Sequence, residues 1–416
     1  MTDSRKPFAS SLSRRWFLQR AGFGGAAMLG GTLWPEILNA GPPRSAKPPI
    51  NHVIISCQEN RSFDHYFGYA PQVQAAGFGP PKGYSQPDGN GGSVVPYEFT
   101  SSSTPDIGHS WFDVHAEWNA GAMNGFMIAD GINAMGYYTA AELPFYYSLL
   151  DEFTLCGSYF CSLLGPTWPN RFYFAAGTSG GITTNGVWGF GVFNYPIILD
   201  VLDAAGITWK VYSNTMDSVP YGNTDNVFVF WKRYAHDKRT LGNRGDYYND
   251  LRQGKLPQVS WIIPSYARGL DEHPPADVSV GMGIQEDLIT ALRQSSLWDS
   301  SVFLLTYDEH GGYFDHVRPP QVDAFGLGIR VPMWVISPHA KSAHIEGTVY
   351  EHTSTLKFIE RLFNLPTLAS VNHMFDTATP VGGNYEAAPS GATAGPPAPP
   401  RDGDQRIGDL FQCFNV

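Results

Sequence analysis

Five short and almost unbroken apolar runs set the tightest limit on how this chain can fold. They are "NHVIIS" (51–56), "TWKVYS" (208–213), "VSWIIPS" (259–265), "SVFLLTYDE" (301–309) and "VPMWVISP" (331–338). A strand with one wet face alternates polar and apolar residues; runs without alternation expect burial on both faces. Between them lie helical patterns. In "IQEDLITALRQSSLW", Ile284, Leu288 and Leu292 recur every four residues, with Ile289 beside them. In "TSTLKFIERLF", Leu356, Ile359 and Phe363 share a face, and Thr353 is available as an N-cap. Continuous strands alternating with amphipathic helices define an α/β domain: a largely parallel central sheet flanked by helices.

Residues 69–150 break this rhythm. They are rich in Gly, Pro, Tyr and Ser without a clear strand run, and read as a loop-rich insertion over one edge of the sheet. After Pro366 a Pro/Gly/Ala tail (366–416) is expected to be loosely packed. The 416 residues are 43% hydrophobic, enough for a large core, and the net charge of −11 leaves no basic stripe for nucleic acid.

The amino terminus reads as an address. "SRRWFLQ" (13–19) precedes the short Gly/Ala-rich run "AGFGGAAMLGGTLW", the pattern of a twin-arginine export signal. Residues 1–46 are therefore expected to be a signal peptide cleaved between Ala40 and Ala46, recognised by the twin-arginine machinery, giving a periplasmic or secreted protein. Their removal takes six of 27 basic and two of 38 acidic residues and leaves a charge of −15. Four cysteines are too few for a disulfide scaffold; Cys156 and Cys161 are close enough in sequence to pair, and structural cysteine is the preferred reading.

Two strands end in acidic clusters. One continues into Glu59 and Asn60, the other into Asp308 and Glu309. Ligands of open α/β sheets bind outside the carboxyl ends of strands, so these groups together would form an oxygen-rich cage for a divalent cation; apart, each is a solvated turn. Thr167, just before "PNRF", stands at a candidate helix start. There it is either a phosphorus-directed nucleophile, with Asn170 and Arg171 on phosphate oxygens, or a cap in a Pro-fixed turn. His109, His273 and His352 follow turns or strand ends, where they would bind phosphate, protonate a leaving group or serve the fold. His65, His310 and His316 flank the acidic clusters and would orient them.

"ENRSFDHYFG", "GPTWPNR", "EHPP", "YDEHGGYFDHV" and "YEHTS" occur in an order that resembles the bacterial phosphoesterase family. That family includes non-haemolytic phospholipases C, plant non-specific phospholipases C and secreted acid phosphatases. The resemblance spans most of residues 50–365 and implies a catalytic domain at 47–365 with an alkaline-phosphatase-like fold. It implies that Glu59, Asn60, Thr167, Asp308 and Glu309 ligate one or more divalent metal ions. Calcium, magnesium and manganese suit an all-oxygen set; zinc and iron join if His does. Thr167 would be the nucleophile, with His109, His273 and His352 on phosphate or its protons. The acid phosphatases use Ser, so Thr167 sides with the phospholipases. The implied activity is phospholipase C cleavage of phosphatidylcholine-type diesters through a phosphothreonine, the alternatives being a broad-specificity acid phosphatase or a non-catalytic binder of phosphate or headgroups. Larger relatives carry extra β-rich domains, for which this chain has no room, so transient membrane contact is expected to fall to its long loops.

Overall fold

The computed structural model describes residues 47–186, 190–213, 225–371 and 400–416. The signal-like segment and most of the tail lie outside the described residues. The strands of the central sheet are β1 (His52–Gln58), β2 (Thr154–Cys156), β3 (Trp209–Ser213), β4 (Val259–Ile263), β5 (Ser301–Tyr307), β6 (Met333–Ile336) and β7 (His344–Glu346), and four two-residue strands pair within the insertion. They form one seven-stranded sheet in the order β7-β2-β6-β5-β1-β4-β3. β1 is buried from Val53 onward because parallel neighbours flank it on both sides: Val53 pairs with Val259 of β4 and with Val302 of β5. β6 alone runs against its neighbours, antiparallel to both β5 and β2. The sheet is thus largely parallel, as its unalternating runs require.

Five helices position the site: α1 (Phe63–Phe67), α2 (Trp111–Trp118), α3 (Thr167–Ala176), α4 (Val278–Arg293) and α5 (Thr353–Phe363). α4 starts six residues earlier than its apolar repeat suggests, since Asp277 caps it by accepting from Ser279 N at 2.9 Å. Its buried face is Val278, Met282, Leu288, Ile289 and Leu292, while Ile284 is only partly covered. Thr353 does not cap α5. His352 holds the cap position, and the Ser354 hydroxyl accepts from Glu351 N at 3.1 Å.

The tail also differs from expectation. Residues 400–416 pack into the core, with Phe411, Cys413 and Phe414 buried and Phe358 against both rings. Buried Arg401 pairs with Asp323 at 2.6 Å. Cys156 lies beside Cys413, Sγ to Sγ 3.8 Å, and not beside Cys161, whose thiol donates to the Leu163 carbonyl. All four thiols are free and buried.

The insertion caps the carboxyl-terminal edge of the sheet. Tyr138 N donates to His65 O and Phe314 N to Ala134 O, so it rests on the loops that leave β1 and β5. Those two loops are also pinned to each other: Arg330 pairs with Asp64 at 2.9 Å and Asp315 at 3.0 Å.

Candidate active site

Parallel register builds the site. Gln58 and Tyr307 lie opposite each other at the ends of β1 and β5, so the next residues, Glu59-Asn60 and Asp308-Glu309, emerge side by side. Asp308 N donates to Gln58 O at 3.1 Å and Arg61 N to Glu309 O at 3.0 Å. Asp308 Oδ1 accepts from Asn60 N at 3.2 Å. Asn60 takes a left-handed backbone, φ 64°, which an amide side chain tolerates better than most. Gly311, at φ +67°, makes room for this turn: a Cβ there would meet Asn60 O at 2.3 Å. At Gly312 a Cβ would meet Gly108 O at 2.4 Å, so the two glycines let three loops converge.

The histidines divide. His109 Nδ1 donates to Ile107 O at 2.7 Å and its Nε2 lies 3.4 Å from Asn60 Nδ2. His273 Nδ1 donates to Pro274 O, and its Nε2 is 4.0 Å from Glu59 Oε2. The two rings stand 5.7 Å apart. His352, expected to be catalytic, has no free nitrogen. Nε2 donates to the Asp308 carbonyl at 2.7 Å, Nδ1 contacts the Tyr159 hydroxyl at 3.0 Å, and Phe174 stacks on the ring. Burial drives its pKa down to about 3, so it is a neutral brace for Asp308.

Asn170 and Arg171, expected on phosphate, are also committed to protein. The Asn170 oxygen accepts from Ser162 N and Leu163 N, and its Nδ2 donates to Gly165 O and Pro166 O, shaping the turn before Thr167. Arg171 bridges two carboxylates, Glu59 at 2.8 Å and Asp308 at 3.1 Å. Thr167 opens α3 four residues before Arg171, on the same helix face, and is 5% exposed. Its hydroxyl has no hydrogen-bond partner among the described residues. The first turn offers few amides to a phosphate: Trp168 N is taken by Asn185 at 2.8 Å, and Pro169 has none.

Of the three flanking histidines, His310 alone touches a site residue, 3.3 Å from Glu309. His65 binds Gly136 O, and His316 binds Asp64.

Two acidic residues escaped sequence reasoning. Asp225, Asp271 and Glu59 each bring a carboxylate oxygen within 4.8 Å of the others. Asp271 stands directly before "EHPP", a signal that was available; Asp225 sits in a loop with none. The neighbouring Glu272 is buried and accepts from Tyr66, Tyr146, Tyr307 and Gln58, which fixes the loop bearing Asp271 and His273.

The crowd of acids shows in their protonation. Burial, then Asp225 and Asp308, pushes Glu59 well above the usual range. Burial lifts Asp308 to about 7 despite Arg171, and burial with Asp225 lifts Asp271 to about 7. Burial raises Glu309 too, but His109 and His310 hold it below its ordinary value. For His109 burial pulls down, while Glu309, the Ile107 carbonyl and Asp106 more than restore it. Burial leaves His273 low. Asn60 Oδ1 and Glu309 Oε1 are buried oxygens without hydrogen-bond partners, the kind of donor a divalent cation takes, while the carboxylates that converge within 4.8 Å of one another are Glu59, Asp225 and Asp271.

Acid and amide oxygens at the carboxyl edge of a parallel sheet, and a hydroxyl opening the helix whose Arg171 binds two of those acids, are parts of a hydrolase for phosphate esters. The chain belongs to the Phosphoesterase family, whose model matches residues 50–366, and is a phosphoric ester hydrolase. It is 33% identical to phospholipase C B of Mycobacterium tuberculosis, over 85% of this chain and 82% of that protein. It is 31% identical to non-hemolytic phospholipase C of Burkholderia pseudomallei, over 85% of this chain and 61% of that one. Non-specific phospholipase C3 of Arabidopsis thaliana shares 28% over 77% and 71%. Among solved structures, a protein in the alkaline phosphatase superfamily from Vibrio parahaemolyticus matches 76% of this chain and 66% of its own, at 13% identity and a TM-score of 0.39.

Proposed function

We propose that this chain is an exported, metal-dependent phospholipase C that cleaves phosphatidylcholine-type diesters into diacylglycerol and a phosphorylated headgroup. The observation that supports it most is that Asn60 Oδ1 and Glu309 Oε1, at the ends of neighbouring strands, are buried without hydrogen-bond partners. Glu59, Asn60, Asp308 and Glu309, with Thr167, would hold the cation. Bound there, it would supply positive charge that favours the Thr167 alkoxide and offsets charge on the phosphate oxygens.

The remaining chemistry belongs to side chains. Thr167 Oγ1, its proton already released to solvent, attacks phosphorus, and the bond from phosphorus to the diacylglycerol oxygen breaks. That oxygen takes a proton from His109, whose acidic neighbours raise its pKa above the ordinary histidine value. Water then cleaves the phosphothreonine, its proton passing to the histidine, which restores both groups. His352 and Asn170 hold Asp308 and the Thr167 turn in place. A net charge of −15 once residues 1–46 are removed disfavours anionic lipid surfaces and supports zwitterionic substrates.

A paired assay tests this reading: nitrophenyl phosphate against phosphatidylcholine, each with and without chelator. The expected result is phosphocholine release that chelator abolishes. Cleavage of the monoester alone would make the protein an acid phosphatase, and tight headgroup binding without turnover would make it a binding protein. Export is tested separately by replacing Arg14 and Arg15 with Lys, which should hold the chain in the cytoplasmic fraction; unchanged secretion would remove the twin-arginine route. Among the described residues no helix is long and apolar enough to cross a membrane.

A further inference from the structure

The insertion buries an acid–imidazole chain that the proposed chemistry does not use. Glu117, on α2, is fully buried, and its Oε2 lies 2.5 Å from His310 Nε2. His310, also fully buried, sets its Nδ1 3.3 Å from Glu309 Oε2, close enough for an ion pair but without hydrogen-bond alignment, and the same oxygen accepts from Gly311 N at 2.7 Å. The other Glu309 oxygen is left without a partner. On the far side, the Asp130 carboxyl lies beside that of Glu117 and accepts from Gly108 N at 2.8 Å, next to His109.

We propose that Glu117 and His310 are positioning residues for Glu309. Held from the insertion, the imidazole ring draws Glu309 Oε2 by charge to the side where the Gly311 amide binds it, and leaves Oε1 free to bind a divalent cation. The inference rests on the reading of Glu309 as a cation ligand. A ligand carboxylate free to rotate would bind less tightly, because its orientation would have to be fixed at the moment of binding. A plain buried ion pair could also join α2 to the β5 loop for stability alone. The two roles differ in what they change. Positioning alters cation affinity; a structural tie alters the melting temperature and leaves affinity alone.

The test is calorimetric titration of the chelator-stripped full chain with Ca²⁺ and, separately, Mn²⁺. Glu117→Gln keeps the shape and removes the charge that holds His310. It should weaken cation binding by roughly 10- to 100-fold, the range seen when groups that orient metal ligands are lost. Glu117→Asp, which keeps the charge, should recover part of that loss and serves where the Gln variant folds poorly. Activity should fall at limiting cation and return toward wild type as the cation saturates; a loss that saturating cation does not repair would speak against positioning. Equal cation affinity in wild type and both variants would overturn the positioning role while leaving the cation reading intact. A wild-type chain that takes up neither ion would overturn both.

Discussion

Thr167→Ala is expected to lose activity on a phosphodiester by on the order of 10³-fold or more while keeping its fold. The hydroxyl has no hydrogen-bond partner among the described residues, so nothing structural depends on it. Ala is also a better helix former than Thr. Thr167→Ser retains a nucleophile and should keep measurable turnover. Mass spectrometry of quenched reactions should find a phosphorylated Thr167 peptide in wild type only. Full activity in Thr167→Ala would remove it as nucleophile. A matching drop in melting temperature would recast it as a packing residue.

The second large effect is on stability. Arg171→Met leaves Glu59 and Asp308 buried without the guanidinium that bridges them. Breaking a buried pair from one side typically costs about 3–5 kcal/mol. Urea denaturation of chelator-stripped protein should show that loss, and a saturating divalent cation should recover part of it by neutralising the same carboxylates. The pH dependence fixes the sign. Asp308 and Asp271 are pushed up to about 7 in the folded protein, mainly by burial, so they bind protons more tightly than in the unfolded chain. Their contribution is full below about pH 4, the unfolded value, and is lost as pH rises toward 7. The cation-free chain should lose stability over that window. A flat profile, or an Arg171→Met variant as stable as wild type, would show that these carboxylates are not a charged cluster.

The sheet was legible because continuous apolar runs are expensive to leave wet, and each became a strand. The acidic clusters at the ends of β1 and β5 were legible for the same reason: strand ends announce where side chains leave the core. That the clusters meet follows from the register of Gln58 on Tyr307, which no spacing within either segment encodes. β2 and β7, of three residues each, are too short to show a pattern. β6 reads like the parallel strands of the sheet because its burial is the same and only its direction differs.

Site residues differ in how far the protein itself engages them. Asn170, Arg171 and His352 are residue types that bind phosphate when their polar atoms are free, and here the protein has already engaged them. Residue type gives a capacity, and only the fold shows where that capacity is used. Glu117 and Asp225 were missed for the converse reason. They reach the site from an insertion and a loop, with no motif around them.

The position of β1 also shapes how the molecule must form. Val53 finds its neighbours only at Val259 and Val302, so the first strand to leave the ribosome waits for most of the chain before either edge is paired. Such non-local pairing is slow, and an unpaired apolar strand is prone to stick to other chains meanwhile. A cation added early in refolding would meet Glu59 and Asn60 without Asp308 and Glu309. Binding should therefore lag the first gain of helix in stopped-flow experiments and coincide with the closing of the sheet around β1.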